Sequence, residues 1–494
     1  MKGDMAHSLS AAEAKFESLR GRVGFWLGPA AFALLLAFPI PGVSPEAQKL
    51  TAVLALAVIY WISEAIPMAA TALLAPALCI PLGIADDKAI LAPFASPPIF
   101  LFIGSFFLAE AMRIHQLDQR MALWLLTRKG VTRSPFTLFA ALGTMTAILS
   151  MWMSNVATTA MMLPVATGVL HACPGLRDNR PLQSDLILLI AFAASVGGLG
   201  TPVGTPPNII AMGFLRKLSS ENITFFDWMR VGVPIVFVLL AFLLWWLRPR
   251  GINFTDRAAM DASLQSQRTA LGPMTAGQRN TAIVFATAVA LWMWPGLVQL
   301  LTGQKILGTA WMEKFLKEET VGLLAGLSLF LLPTNRASHR FTLTWEDAVR
   351  IDWGTIFLFA GGLALGTQIF ATGLAAAMGQ SMSAWLGSPS LWTLIAAGIV
   401  LSLILSEATS NTASANVMIP LFLVLASSAS LPQKPVALAV SLACSFGFML
   451  PVSTGPNAMA YGTGMVPLTT MVRAGFALDI AGAITIWLAV RLLA

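Results

Sequence analysis

Charge is what this chain has least of. Only 11% of its 494 residues are Asp, Glu, Lys or Arg, against about 25% in a soluble protein. With 57% hydrophobic residues and a mean hydropathy of +0.76, the composition excludes a soluble globular domain. Cysteine is scarce too. Cys79, Cys173 and Cys444 are scattered without CxxC spacing, and Cys79 and Cys444 lie in apolar runs, where cysteine acts as a small hydrophobe. The four histidines, His7, His115, His171 and His339, match no metal-ligand spacing. Metal catalysis has no support, and no nucleophile–base constellation lies within the apolar segments, so an enzyme is not expected. The net charge of +7 would suit nucleic acid, but its distribution fits a bilayer, and no nucleic-acid partner is expected. Residues 1–22 contain Asp4, Glu13 and Glu17 and lack an early apolar core, so they do not read as a cleavable signal peptide. Leu9, Ala12, Phe16 and Leu19 are spaced for a weakly amphipathic interfacial helix, with a frayed tail as the alternative.

What the chain does have is a duplication. Ser154-Asn155-Val156 and Ser410-Asn411-Thr412 each interrupt a long apolar segment, where polar groups are costly and usually functional. Each is followed by a proline- and glycine-broken run ending in Asn: Gly204-Thr205-Pro206-Pro207-Asn208 and Ser453-Thr454-Gly455-Pro456-Asn457. Phe100–Gly104 returns as Phe357–Gly361, a shift of 257. Ser154-Asn155 and Pro164 return at a shift of 256, and Pro207-Asn208 at 249. Interrupted apolar segments at matching places in two halves point to the binding site of a secondary transporter.

A spanning helix needs about 20 apolar residues. On that rule the chain reads as an all-α polytopic membrane protein of about eleven transmembrane helices. They form two inverted repeats, each with a re-entrant helical hairpin and a broken helix. An N-terminal segment (1–22) precedes the first span and its turn (23–49); repeat 1 covers 50–250, a linker 251–279, and repeat 2 280–494. Within 50–84 two helices meet near Ser63–Pro67, because proline interrupts a helix and Glu64 needs water or a partner. A span at 97–113 leads to a basic interfacial helix at 115–133 and a hairpin at 135–170 tipped at Ser154-Asn155. Its arm from Ala157 to Leu170 would run about 21 Å. The first broken helix is 184–214, followed by a span at 231–247. Repeat 2 has spans at 280–301, 320–333 and 353–373, an interfacial stretch at 374–387, a hairpin at 389–430, a broken helix at 435–463 and a last span at 474–492. This layout places 20 of the 30 Lys and Arg residues on one side. The positive-inside rule makes that side the cytosol, with the N-terminus inside and the C-terminus outside a bacterial inner (plasma) membrane.

No Lys or Arg falls in the middle of a span. An anionic substrate must then be balanced by helix N-termini, which carry unpaired N–H groups and partial positive charge, or by co-bound cations. Clusters of hydroxyls, Asn amides and unwound carbonyls suit a small hard cation; one cluster per repeat predicts two cation sites flanking one substrate. A single Ser-Asn in an apolar helix is more often an interhelical hydrogen bond than a ligand. Both breaks recurring in the same order and at nearly the same spacing favour a site. Glu407 reads equally as a proton or cation ligand and as a brace for the hairpin; Glu110 and Asp479 read as structural partners near segment ends.

At Trp152–Met162 (WMSNVATTAMM), Ser410–Pro420 (SNTASANVMIP), the two proline-broken loops and Trp61–Pro67 (WISEAIP), the chain resembles the divalent anion:sodium symporter family, the INDY-type di- and tricarboxylate carriers. The resemblance covers roughly residues 20 to 494. It implies a homodimer whose transport domain moves elevator-fashion against a scaffold, and two or more co-transported sodium ions with no organic cofactor. It maps one sodium site to Ser150, Ser154, Asn155 and Gly204, and a second to Ser406, Thr409, Asn411 and Ser453. Substrate carboxylates would meet Ser154, Asn155, Ser410, Asn411 and Thr412, with Thr205 and Thr454 nearby. Val156 stands where the family usually has Thr, and Gly455 where Pro is more typical. The expected function is sodium-coupled symport of a small divalent anion, a C4 dicarboxylate such as succinate or malate. The alternatives are sodium-independent dicarboxylate exchange, or carriage of another anion such as sulfate or citrate. A channel is a third possibility, since re-entrant hairpins also build filters.

Overall fold

Serine and proline mark where the hairpin arms begin. The chain is seen in a computed structural model that describes residues 11–172, 176, 179–219, 221–249, 257–304, 307–335, 339–378, 380 and 390–494. Residues 1–10 of the N-terminal segment, 251–256 of the linker, 379 and 381–387 of the second interfacial stretch and residue 389 of the second hairpin lie outside these. The first hairpin opens at Ser134, whose hydroxyl accepts from Thr137 N–H at 3.1 Å while Thr137 Oγ1 accepts from Ser134 N–H at 3.0 Å. This capping box puts Pro135 at the first helical position, where a missing N–H costs nothing. The arms are Pro135–Ser150 and Asn155–Ala172. In the second hairpin Ser390 Oγ accepts from Thr393 N–H at 3.2 Å, and the arms are Leu391–Ala408 and Asn411–Ser428. Arms of 16 to 18 residues run about 24–27 Å; the arm expected over 157–170 is longer because Asn155 and Val156 are already helical and the helix continues to Ala172.

The helices Arg180–Gly198 and Pro206–Leu218 form the first broken pair, and Gln433–Cys444 and Gly455–Gly462 the second. Among the described residues eight helices are long and apolar enough to cross a membrane. Six fall on expected spans: Asp87–Ile114, Arg180–Gly198, Phe225–Trp246, Ala276–Thr302, Trp353–Ala371 and Leu468–Leu493; the other two are the arms of the second hairpin. Of the other expected spans, Ala11–Ala37 and Pro45–Ser63 are unbroken helices of 27 and 19 residues, and the rest are shorter. Pro45–Ser63 and Met68–Cys79 flank the turn at Glu64, and the expected span 320–333 is helical only over Glu318–Ser328. Glu64 adopts a left-handed conformation (φ 51°) and its carboxylate meets Arg20 at 3.3 Å, the partner it needed.

Three details depart from the sequence reading. Helix Ala11–Ala37 runs through the expected boundary at 22–23. The linker carries a helix, Arg257–Ala270. A short antiparallel ribbon pairs Pro333–Asn335 with Arg340–Phe341, a small exception to an otherwise helical chain. Its first strand is the Pro-Thr-Asn sequence itself, reached after the preceding helix has ended at Ser328.

Corresponding elements pack in corresponding ways. Each hairpin lies on the first half of the broken helix that follows it. Each broken helix sends its second half to the other hairpin: Pro206–Leu218 packs on Asn411–Ser428, and Gly455–Gly462 on Asn155–Ala172. Around them, Pro97–Ile114 packs on Glu318–Ser328, and Trp353–Ala371 on Met68–Cys79. Both of these contacts are made at the repeated glycines. A Cβ on Gly104 would overlap the Gly322 backbone, and one on Gly361 the Ala72 carbonyl. Helices this close are held by van der Waals contact, which is the main attraction available between helices in lipid. Gly104→Val and Gly361→Val should each lower the thermal unfolding midpoint of the solubilised protein, by the equivalent of about 1–3 kcal/mol of overpacking strain. An unchanged midpoint for either would contradict these close approaches.

Candidate functional site

The two hairpin tips are built alike. Ser154 Oγ accepts from Ala157 N–H at 3.2 Å, and Ser410 Oγ accepts from Ala413 N–H at 3.2 Å. Each serine thus caps the second arm of its hairpin. A cap uses an oxygen lone pair and leaves the hydroxyl proton available to an anion; Ser410 directs its own to Met68 Sδ at 3.2 Å. Ser150 Oγ lies 2.8 Å from Asn155 Oδ1, and Ser406 Oγ lies 2.9 Å from Asn411 Oδ1. Ser406 Oγ is also 2.8 Å from the Cys444 carbonyl, and Asn411 Nδ2 donates to the Ser445 carbonyl at 3.2 Å. So the tip asparagines are each oriented by a serine five residues back, once in each repeat.

The unwound loops repeat as closely. Asn208 Nδ2 donates to the carbonyls of Gly198 (2.9 Å) and Thr201 (2.7 Å), and Asn457 Nδ2 to those of Gly447 (2.8 Å) and Leu450 (3.0 Å). Both asparagines are fully buried. Sequence spacing gave them as the ends of two motifs; the structure makes them braces that satisfy carbonyls freed by unwinding. Each leaves Oδ1 buried and without a hydrogen-bond donor, an oxygen of the kind a hard cation takes. Thr205 and Thr454 stand at the start of the second half-helices; Thr454 Oγ1 accepts from Asn457 N–H at 3.3 Å, while Thr205 makes no such cap bond.

Loops and tips meet at Gly204, which the sequence reading named, and at Gly198 and Gly447, which it passed over. A Cβ on Gly198 would stand 2.5 Å from Asn155 Oδ1, and one on Gly204 2.5 Å from the Gly198 carbonyl, so Asn155, Gly198 and Gly204 converge. A Cβ on Gly447 would lie 3.1 Å from Ser453 Cβ, 3.3 Å from the Ser406 carbonyl and 3.4 Å from Asn411 Oδ1, so Ser406, Asn411 and Ser453 converge as well. The shift of 249 that relates Asn208 to Asn457 also relates Gly198 to Gly447, a signal the motif search could have used. Thr409 is drawn elsewhere: its hydroxyl is committed to the Leu405 carbonyl (3.0 Å) and Ser414 (2.8 Å), leaving only its carbonyl for a ligand role. Thr412 is half-buried and Val156 is 49% exposed.

The repeats are joined across the region of the breaks. Ser441 Oγ donates to the Pro207 carbonyl at 2.7 Å, and the rings of Phe192 and Phe448 meet edge-to-face at 5.1 Å. Glu407 resolves as a brace: its carboxylate accepts from Phe448 N–H (2.6 Å), Met449 N–H (2.9 Å) and Ser453 Oγ (2.9 Å). Asp479 is not near a segment end; it is buried in the middle of Leu468–Leu493, beside Glu407. Glu110 pairs with Arg113 at 2.9 Å. A cavity of about 850 Å³ between Phe225–Trp246, Ala276–Thr302 and Glu318–Ser328 includes none of the expected site residues.

Four helix N-termini at four polar breaks, with eight helices among the described residues long and apolar enough to cross a membrane, define a membrane transporter rather than an enzyme. The sodium:sulfate symporter transmembrane region family matches residues 25–493, and the chain belongs to it. An uncharacterized transporter of Haemophilus influenzae is 34% identical over 92% of this chain and 93% of its own length. The sodium-dependent dicarboxylate transporter SdcS of Staphylococcus saprophyticus is 32% identical over 100% of this chain and 96% of its own. Among solved structures the fold is similar to the Alcanivorax borkumensis YdaH transporter (TM-score 0.55, 13% identity, 96% of this chain and 97% of that one). It is equally similar to Neisseria gonorrhoeae MtrF (TM-score 0.55, 12% identity, 94% of each).

The Glu407 brace is testable. Glu407→Ala strands two backbone N–H groups, at about 1–3 kcal/mol for each left unsatisfied, while the Ser453 hydroxyl keeps the residue 407 carbonyl it already meets at 2.8 Å. Its thermal midpoint should fall well below that of Glu407→Gln, which keeps one acceptor oxygen. Equal midpoints for Glu407→Ala and wild type would remove the brace.

Proposed function

We infer that this chain carries a small C4 dicarboxylate, such as succinate or malate, together with sodium. The observation that carries this reading is the twofold recurrence of one arrangement, a serine-capped tip whose oriented asparagine meets an unwound loop. On this reading Ser154, Asn155, Ser410, Asn411 and Thr412 receive the carboxylates, with Val156, Thr205 and Thr454 lining the site. Ser150, Ser154, Asn155 and Gly204 serve one sodium, and Ser406, Asn411, Ser453 and the Thr409 carbonyl the other. The convergence at Gly198 and Gly447 and the donor-free oxygens of Asn208 and Asn457 support the two cation sites. The names of the staphylococcal relatives support the substrate class.

Electrostatics favours the coupling. Placing one charged side chain in the membrane centre costs about 2.5–3.5 kcal/mol on insertion scales. A helix N-terminus returns about 0.3–1 kcal/mol, up to about 2 when partly buried. A dianion remains undercompensated by N-termini alone, and sodium supplies the rest. The matched packing of the two halves supports an inverted repeat, with the two hairpins and broken helices as an elevator-like transport domain in a homodimer. The N-terminus lies in the cytosol and the C-terminus outside.

The test is labelled-succinate uptake into proteoliposomes with and without an inward sodium gradient, for wild type and Asn411→Ala. Wild-type uptake should require sodium, and Asn411→Ala should lose uptake and sodium-dependent thermal stabilisation together, since one amide offers both an oxygen to the ion and N–H to the substrate. Uptake indifferent to sodium would replace the symporter by an exchanger. Undiminished sodium stabilisation of Asn411→Ala would leave Asn411 a substrate ligand only.

A further inference from the structure

Val156 and Gly455, where the resemblance leads one to expect Thr and Pro, touch each other. They are 299 positions apart and belong to opposite repeats. Val156 follows the tip asparagine of the first hairpin; Gly455 opens the half-helix Gly455–Gly462. A Cβ on Gly455 would stand 2.5 Å from Val156 Cγ2, 3.6 Å from Cβ and 3.7 Å from Cγ1. A side chain at 455 and the isopropyl group at 156 therefore compete for one space, and the bare glycine leaves it to the valine. Val156 nonetheless keeps 49% of its surface exposed, so its methyl groups cover the helix start on one side and face open space on the other. In the other copy the corresponding positions are Thr412 and Pro206, at shifts of 256 and 249.

We propose that Val156 and Gly455 make one end of the substrate site apolar while Thr412 keeps the other end hydroxyl-bearing, so that the chain selects C4 dicarboxylates by how many polar substituents their carbon backbone carries. This rests on the carboxylate reading of the hairpin tips. A diacid with one hydroxyl can turn that group toward Thr412. A diacid with a hydroxyl on both central carbons cannot, and one hydroxyl must lose its water against the Val156 methyls without gaining a partner. An alkyl branch fits the Val156 end without that loss. An apolar pocket discriminates against an added hydroxyl by up to about 100-fold, which bounds the effect.

The experiment is competition against sodium-driven labelled-succinate uptake in proteoliposomes by methylsuccinate, malate and tartrate. Methylsuccinate and malate should compete within a few-fold of succinate, and tartrate should be at least about ten-fold weaker. Val156→Thr keeps the side-chain shape and adds a hydroxyl; it should strengthen tartrate several-fold relative to methylsuccinate. Gly455→Ala should weaken succinate competition in the wild-type background and not in a Val156→Ala background, where the contested space is free. Tartrate competing as well as malate, or Val156→Thr shifting all the acids in parallel, overturns the asymmetry while leaving dicarboxylate transport standing. Absence of succinate uptake in the wild type overturns both this proposal and the function it rests on.

Discussion

Backbone that unwinds inside a bilayer must satisfy its own polar groups, because no water is there to do it. The rest of this structure is arranged around that constraint. Two helices come apart, at 199–205 and 445–454, and each opening is closed by an asparagine amide that reaches back ten and seven residues to freed carbonyls. The second opening has freed N–H groups as well, and Glu407 takes two of them. With the loops satisfied, their remaining oxygens and the helix N-termini beside them are left for ligands.

Close packing places the loops against the tips. Gly198 and Gly447 offer no side chain, so Asn155 and Asn411 reach the loop backbone directly. The exchange of half-helices between hairpins makes each end of the site a joint product of both repeats: the first hairpin meets the second loop at Val156 and Gly455, and the second hairpin meets Pro206–Leu218. A change in one repeat is therefore felt by the other. Any movement that separates the hairpins must also move both broken helices.

Much of this was legible in the sequence because it is written twice. The Ser-Asn tips and the Pro-Asn loops announced themselves by position, and the serine at 150 or 406 fell at the same distance from its asparagine. What stayed hidden was of two kinds. Asn208 and Asn457 are chemically able to be ligands or braces, and only their partners decide between the roles. Val156 and Gly455 meet across 299 positions of chain, and no local pattern encodes such a contact. The end of one span was hidden for a related reason: hydropathy sees an apolar run at 320–333, while the helix there stops at Ser328 and the chain turns into the ribbon. Glu407 was left open between two roles because its donors are backbone N–H groups more than forty positions away, which side-chain spacing cannot reveal.

The central claim is that cation and dianion compensate each other in a site with no fixed positive charge. Reciprocal coupling follows by thermodynamic necessity. The direct measurement is equilibrium binding on the purified protein: sodium affinity with and without saturating succinate, and succinate affinity with and without saturating sodium. The account predicts that each ligand tightens the other by the same factor, five-fold or more by the usual size of such couplings, about 1–3 kcal/mol. Succinate that binds equally well in sodium and in a sodium-free choline buffer would contradict it.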